Sequence, residues 1–202
     1  MPKRVWGQGC GHPSSRDFQA SGYYIVLSLI QIVKDIGVVD DSIRLVKETV
    51  QQLGGLDIII NNVGWTRFAN FGDINDLTHD EWNKCWSINV MSQLVLMQEA
   101  APIFNANPEG GVFIISSSVA GKSCSGSSMG YSVTKAAGLH LMKCLASTQG
   151  PKIRINAVLP GLLLTEWGLR YGEERIEATK NRAALKREVG SVQTLSFPVS
   201  HE

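Results

Sequence analysis

Between the pair Gly54-Gly55 and the polar loop Asn61-Asn62-Val63-Gly64 stands Leu56-Asp57-Ile58-Ile59-Ile60, a short β-branched run without polar and apolar alternation. Such a run suits a parallel strand covered on both sides, because it keeps no face for water. The segment before it is helical: Ile43, Val46, Val50 and Leu53 recur at helical spacing across 41–53, and Gly54-Gly55 is a stop signal. The succession then repeats. Thr78 and Glu81 spell a capping box at the head of an increasingly apolar helical segment, 80–104. Residues 111–116 read as a strand, 129–148 as a helix, and 153–159 as a strand that stops at Pro160-Gly161. Strands alternating with helices predict an α/β fold, right-handed crossovers and a doubly wound parallel sheet whose ligands sit at the carboxyl ends of the strands.

Several function classes are excluded by charge and pattern. With 19 basic and 18 acidic residues the net charge is +1, so no overall field draws nucleic acid or an anionic membrane. The longest mostly apolar run, 23–33, is too short to span a bilayer and is closed by Lys34 and Asp35; it reads as a strand or buried segment. Lys3 and Arg4 lie well before that run and no small-residue cleavage pattern follows it, so a cytoplasmic location is expected. Cys10, Cys85, Cys124 and Cys144 are widely scattered, and His12 near Cys10 has no second Cys/His pair to complete a tetrahedron. No metal site is expected, and the cysteines read as reduced fillers.

Chemistry concentrates around a serine-rich stretch, residues 116–128, which holds seven serines between a strand and a helix. Tyr131 and Lys135 are four apart near the start of that helix and share one face. An ammonium beside a phenol favours phenolate, which fits a tyrosine for acid/base work. Ser118, at the preceding strand end, can reach the same substrate oxygen. By itself the pattern is also that of an ordinary helix, since Tyr and Lys at this spacing are common.

Other motifs accompany it: Asn61-Asn62-Val63-Gly64; Asn89 within Ser87-Ile88-Asn89-Val90; Ser118 within Ser117-Ser118-Val119-Ala120-Gly121; Tyr131-Ser132-Val133-Thr134-Lys135; and Pro160-Gly161 followed by Thr165. In this order and spacing the chain resembles the short-chain dehydrogenase/reductase family from about residue 33 to 188, with local wording similar to fungal members. The resemblance implies a Rossmann-like doubly wound sheet with helices on both faces. It also implies hydride transfer between NAD(P)(H) and a small-molecule carbonyl or secondary alcohol. Tyr131 would exchange the proton, Ser118 would hold the substrate oxygen, and Lys135 would lower the Tyr131 pKa and bind the nicotinamide ribose. Asn89 would interrupt its helix around a relay water. For the cofactor, the resemblance implies Asp35 at the adenine, Asn62 and Gly64 along the adenosine side, and, beyond Pro160 and Gly161, Thr165 at the nicotinamide carboxamide or a phosphate. Assembly as a homodimer or homotetramer would use 80–104 and 129–148.

Trp65, Phe68 and Phe71, and later Trp167, Leu169 and Tyr171, are candidates for an apolar substrate wall or for ordinary packing. The expected organisation is an irregular segment 1–24, a core at 25–189 and an irregular tail at 190–202. Gly7, Gly9 and Gly11 follow no hydrophobic strand and do not match the family's Thr-Gly-x-x-x-Gly-x-Gly turn. The second strand, which chooses between NAD and NADP, is not displayed, and the last helix and strand depart from the family pattern. A core clipped at both ends is therefore expected. A non-catalytic remnant and a nucleotide sensor stand beside the enzyme reading.

Overall fold

The structure, a computed structural model, describes residues 35–182 continuously, together with 19–20, 23–24 and 32. β1 (Gln19–Ala20) and β2 (Tyr23–Tyr24) form a two-residue antiparallel ladder, where an irregular segment was expected. Most of the apolar run 23–33, the Gly7–Gly11 stretch and the tail 190–202 lie outside the described residues. From there the chain runs α1 (Val39–Leu53), β3 (Ile58–Asn61), α2 (His79–Trp86), a π-helical turn (Ser87–Met91), α3 (Ser92–Ala106), β4 (Gly111–Ser116), a 3-10 turn (Val119–Gly121), α4 (Met129–Thr148), β5 (Ile153–Val158), α5 (Glu166–Leu169) and α6 (Glu173–Arg182).

β3, β4 and β5 lie side by side in sequence order, all parallel, with Ile58 opposite Val112 and Gly111 opposite Ile153. Each helix between them carries the chain back to the start of the next strand, the right-handed crossover of the doubly wound type. Phe113 and Ile115 of β4 and Ile153 and Ile155 of β5 point to one face, where Val46 of α1 and Leu96, Met97, Ala100 and Phe104 of α3 close over them. Met142 and Leu145 of α4 pack against the same cluster. The alternation in β5 is plain: Ile153 and Ile155 are buried while Arg154 and Asn156 are exposed. Ile58, Ile59 and Ile60 are half-buried rather than fully covered, since the described helices lie against one face of the sheet.

Local signals act where they were read. α1 ends at Gly54, whose φ of 75° is a left-handed cap that donates its N–H to the Val50 carbonyl. Thr78 accepts from the Glu81 N–H while the Glu81 carboxylate accepts from the Thr78 N–H, so both halves of the capping box form. The segment expected as one helix over 80–104 is divided by the π-helical turn at Asn89. Among the described residues no helix is long and apolar enough to cross a membrane, and no cluster of His, Cys, Asp and Glu could hold a metal ion.

Candidate active site

The ends of β4 and β5 and the start of α4 converge on one cleft of about 640 Å³. Ser117 extends the pairing past β4 by donating its N–H to the Val158 carbonyl at 2.8 Å. Ser118 follows in extended conformation, and its hydroxyl caps the next turn by accepting from the Ala120 N–H at 3.1 Å. The serine loop is then tied to α4: the Ser132 hydroxyl lies 2.8 Å from the Ala120 carbonyl and 3.0 Å from that of Ser123. Ser128 caps α4 by accepting from the Tyr131 N–H at 3.2 Å. Tyr131 is thereby held in the first turn of α4, with Lys135 one turn further in.

Lys135 is 4% exposed and donates to the Ser116 carbonyl at 3.0 Å; its Nζ lies 5.4 Å from the Tyr131 ring centroid. Burial pulls its pKa down to about 8, against a smaller upward pull from Cys85. Burial also pushes the Tyr131 phenol above its usual range, opposed by the facing Ser118 hydroxyl. That direction is opposite to the lowering expected from Lys135. Loss of water around the phenolate is the largest cause, and Lys135, itself desolvated and bonded to the Ser116 carbonyl, does not offset it.

The Lys135 shift makes a stability statement. Between its folded pKa of about 8 and the ordinary 10.5, the unfolded chain holds a proton that the folded chain has released. Stability from this group therefore rises with pH across that window. Lys135→Met is expected to be more stable than the parent at neutral pH, with the advantage shrinking from about pH 8 upward. Paired urea titrations across that range check it; an advantage independent of pH would refute the assignment.

Asn89 is fully buried behind the cleft. The Trp65 N–H donates to its Oδ1 at 2.7 Å, and its Nδ2 lies 3.0 Å from the Trp65 carbonyl and 2.9 Å from Thr134 Oγ1. Both backbone groups of Trp65 thus hang on one amide, which fixes the loop after β3 beside Lys135. The Asn89 carbonyl accepts from Gln93 Nε2 at 2.6 Å. Gly64 sits where any Cβ would lie 3.2 Å from Lys135 Nζ and 3.5 Å from Asn89 Oδ1, so a side chain there would crowd the ammonium.

Ser118, Tyr131, Lys135, Asn62, Gly64, Pro160, Gly161 and Thr165 all line this cleft. Thr165 also caps α5, accepting from the Gly168 N–H at 3.1 Å. Asp35 is not brought to the cleft: it is exposed and its carboxylate accepts from the Gly37 N–H at 2.9 Å, a turn-closing contact. Of the aromatic candidates, Phe68, Trp167 and Tyr171 form one cluster with ring centroids 4.9 to 5.6 Å apart, and Trp167 lies 6.3 Å from Tyr131. Trp65 lines the cleft; Phe71 and Leu169 do not, and Leu169 is 58% exposed.

Residues that sequence reading did not single out are Thr134 and Cys85, which contact the Asn89 amide, and Arg175 and Arg182 of α6. The arginines had a legible signal in their seven-residue spacing; the Asn89 partners had none, because their meeting is a tertiary event. A ribose-bearing nicotinamide fits what is present. Three Nζ protons on Lys135 face one described acceptor, the Ser116 carbonyl, and Gly64 leaves an open wall above it.

A family model described as enoyl-(acyl carrier protein) reductase matches residues 17–195. Dehydrogenase/reductase SDR family member 4 of Rattus norvegicus is 33% identical over 182 residues, which cover 87% of this chain and 64% of the relative. Short-chain dehydrogenase/reductase SDRA of Arabidopsis thaliana is 38% identical over 148 residues, covering 71% of this chain and 56% of that protein. Among solved structures, 7α-hydroxysteroid dehydrogenase complexed with NADH and 7-oxo glycochenodeoxycholic acid superposes with a TM-score of 0.73 at 28% identity, covering 82% of this chain and 63% of that one. NADPH-dependent 3-quinuclidinone reductase from Rhodotorula rubra gives 0.73 at 25% identity, with 84% and 62% covered. The chain spans 56% to 64% of the length of these four proteins.

Proposed function

The chain belongs to the short-chain dehydrogenase/reductase family, and on that footing we propose that it transfers a hydride between NAD(P)(H) and a carbonyl or secondary alcohol, with Tyr131 as the acid/base. The observation that carries this reading is the convergence of Ser118, Tyr131 and Lys135 on one cleft beside Gly64. The relatives support the cofactor class, since one solved neighbour holds NADH and another is named for NADPH.

In the reducing direction the Tyr131 phenol gives its proton to the substrate carbonyl oxygen, and the Ser118 hydroxyl donates a hydrogen bond to the same oxygen. The Lys135 ammonium stabilises the phenolate that remains and offers its spare protons to ribose hydroxyls. Asn62, Gly64, Pro160, Gly161 and Thr165 would hold the cofactor along the strand ends. When bound, the nicotinamide supplies the hydride. Asn89 keeps the Gly64-Trp65 backbone at its distance from Lys135. Assembly would use the outer sides of α2, α3 and α4, elements that leave Trp86 and Val133 more than 40% exposed.

Calorimetric titration of the purified chain with NADH and with NADPH tests the reading, followed by cofactor absorbance on addition of a simple aryl ketone. Heat with at least one nucleotide and ketone-dependent loss of absorbance are expected. No heat with either means a non-catalytic protein, and heat without turnover means a nucleotide sensor.

A further inference from the structure

α6 turns one face toward the cleft. Its cleft-lining residues are Arg175, Ala178, Thr179 and Arg182, the i, i+3, i+4, i+7 pattern of a single helical stripe, while Ile176 is buried on another side. Seven residues at 1.5 Å each place the two arginines about 10 Å apart along the axis, with small side chains between them. Among the described residues, the ionisable ones lining the cleft are Tyr131, Lys135, Tyr171, Arg175 and Arg182, with no aspartate or glutamate. Neither arginine forms an ion pair with a described carboxylate. Of the α6 glutamates, Glu177 is engaged by Lys180 at 2.8 Å.

A chain of neighbouring aromatic rings leads from the reacting phenol to this stripe. Trp167 stands 6.3 Å from Tyr131, Tyr171 is 5.6 Å from Trp167, and the Arg175 guanidinium lies 5.6 Å from the Tyr171 centroid. A guanidinium stacked on a ring keeps its N–H groups free for an anion while losing little freedom when it binds one. We infer that the α6 stripe recognises an acidic group on the substrate: an aryl or otherwise flat apolar ketone, reacting at Tyr131, whose carboxylate or phosphate reaches Arg175 and Arg182. The aromatic stretch between phenol and guanidinium suits an apolar body with a charged end. This inference rests on the reductase reading above and adds the substrate class to it.

The test uses para-acetylbenzoate and its methyl ester, which differ in the charge, with the double variant Arg175→Gln/Arg182→Gln. The parent should prefer the acid. The double variant should lose about tenfold to hundredfold in kcat/KM for the acid, mainly through KM, and stay within about twofold for the ester. In parallel, quenching of tryptophan fluorescence by para-acetylbenzoate, measured without cofactor, should weaken with salt in the parent and be lost in the double variant. Equal losses for acid and ester, accompanied by a raised KM for NADH or NADPH, would assign the arginines to cofactor phosphates and overturn the inference, as would no loss at all. If the parent reduces neither ketone yet the acid quenches only the parent, the anion site stands and the hydride-transfer reading is what has failed.

Discussion

Tyr131→Phe is expected to lower kcat/KM by about three orders of magnitude while leaving the fold and cofactor affinity almost unchanged. The substitution removes one oxygen from a half-buried ring and keeps the ring's place beside Trp167 and under Lys135. What disappears is the acid that protonates the carbonyl oxygen as hydride arrives. Water in the vacated space is not held by Ser118 and Lys135 in the phenol's position. Stability should move by about 1 kcal/mol or less, because the partner the phenol oxygen loses is the Ser118 hydroxyl at the cleft wall, where water can take its place. Steady-state kinetics beside a thermal melt checks both halves. Retained turnover in a folded Tyr131→Phe protein would remove the proposed mechanism.

Asn89→Leu should have the largest effect on stability among single changes near the site, about 3 kcal/mol, or a melting temperature lower by on the order of 10 °C. Leucine has the same branched skeleton of side-chain heavy atoms and is larger, so the cost is not a cavity. The substitution strips the partner from the Trp65 N–H, leaves the Trp65 carbonyl only the Cys85 thiol at 3.5 Å, and removes a donor to Thr134, all around a fully buried amide. Unsatisfied buried groups carry the full cost of lost hydration. Because the Gly64-Trp65 backbone loses its tether, cofactor affinity should fall as well, which separates this variant from a remote core change such as Leu139→Ala. Urea unfolding and a nucleotide titration on the same preparation would show the two losses together; a destabilised protein with parental nucleotide affinity would deny Asn89 its positioning role.

Much of the architecture was legible because its determinants are local. The helix 129–148 and the strand 111–116 stand where patterning put them, and Gly54 and the Thr78–Glu81 pair act as the stop and start signals they resemble. The helix expected over 80–104 was harder. Its apolar periodicity runs straight through residues 87–91, and only the family resemblance implied the interruption at Asn89; in the structure a π-helical turn stands there, with Asn89 bonded to Trp65, 24 positions away. Asp35 shows the reverse case. The family resemblance implied an adenine contact for this carboxylate; in the structure it is exposed and accepts from the Gly37 N–H, a local turn contact that patterning did not display.

The site divides the same way. Tyr131, Lys135 and Ser118 could be named from the ordered set of motifs and the family resemblance it carries; local geometry, one helical turn and one strand end, only made their meeting possible. The sign of the Tyr131 shift could not be read, since it depends on how much water the folded chain excludes from around the phenol and how far Lys135 is itself desolvated. Nor could the stripe of α6 be seen to face the cleft. Periodicity defines a helical face, and only packing decides what that face looks at. Sequence thus determined the elements and the reacting groups, whose causes act within a few residues. Tertiary structure decided burial, charge balance and which distant side chains meet, because desolvation and hydrogen-bond completion are properties of the assembled interior.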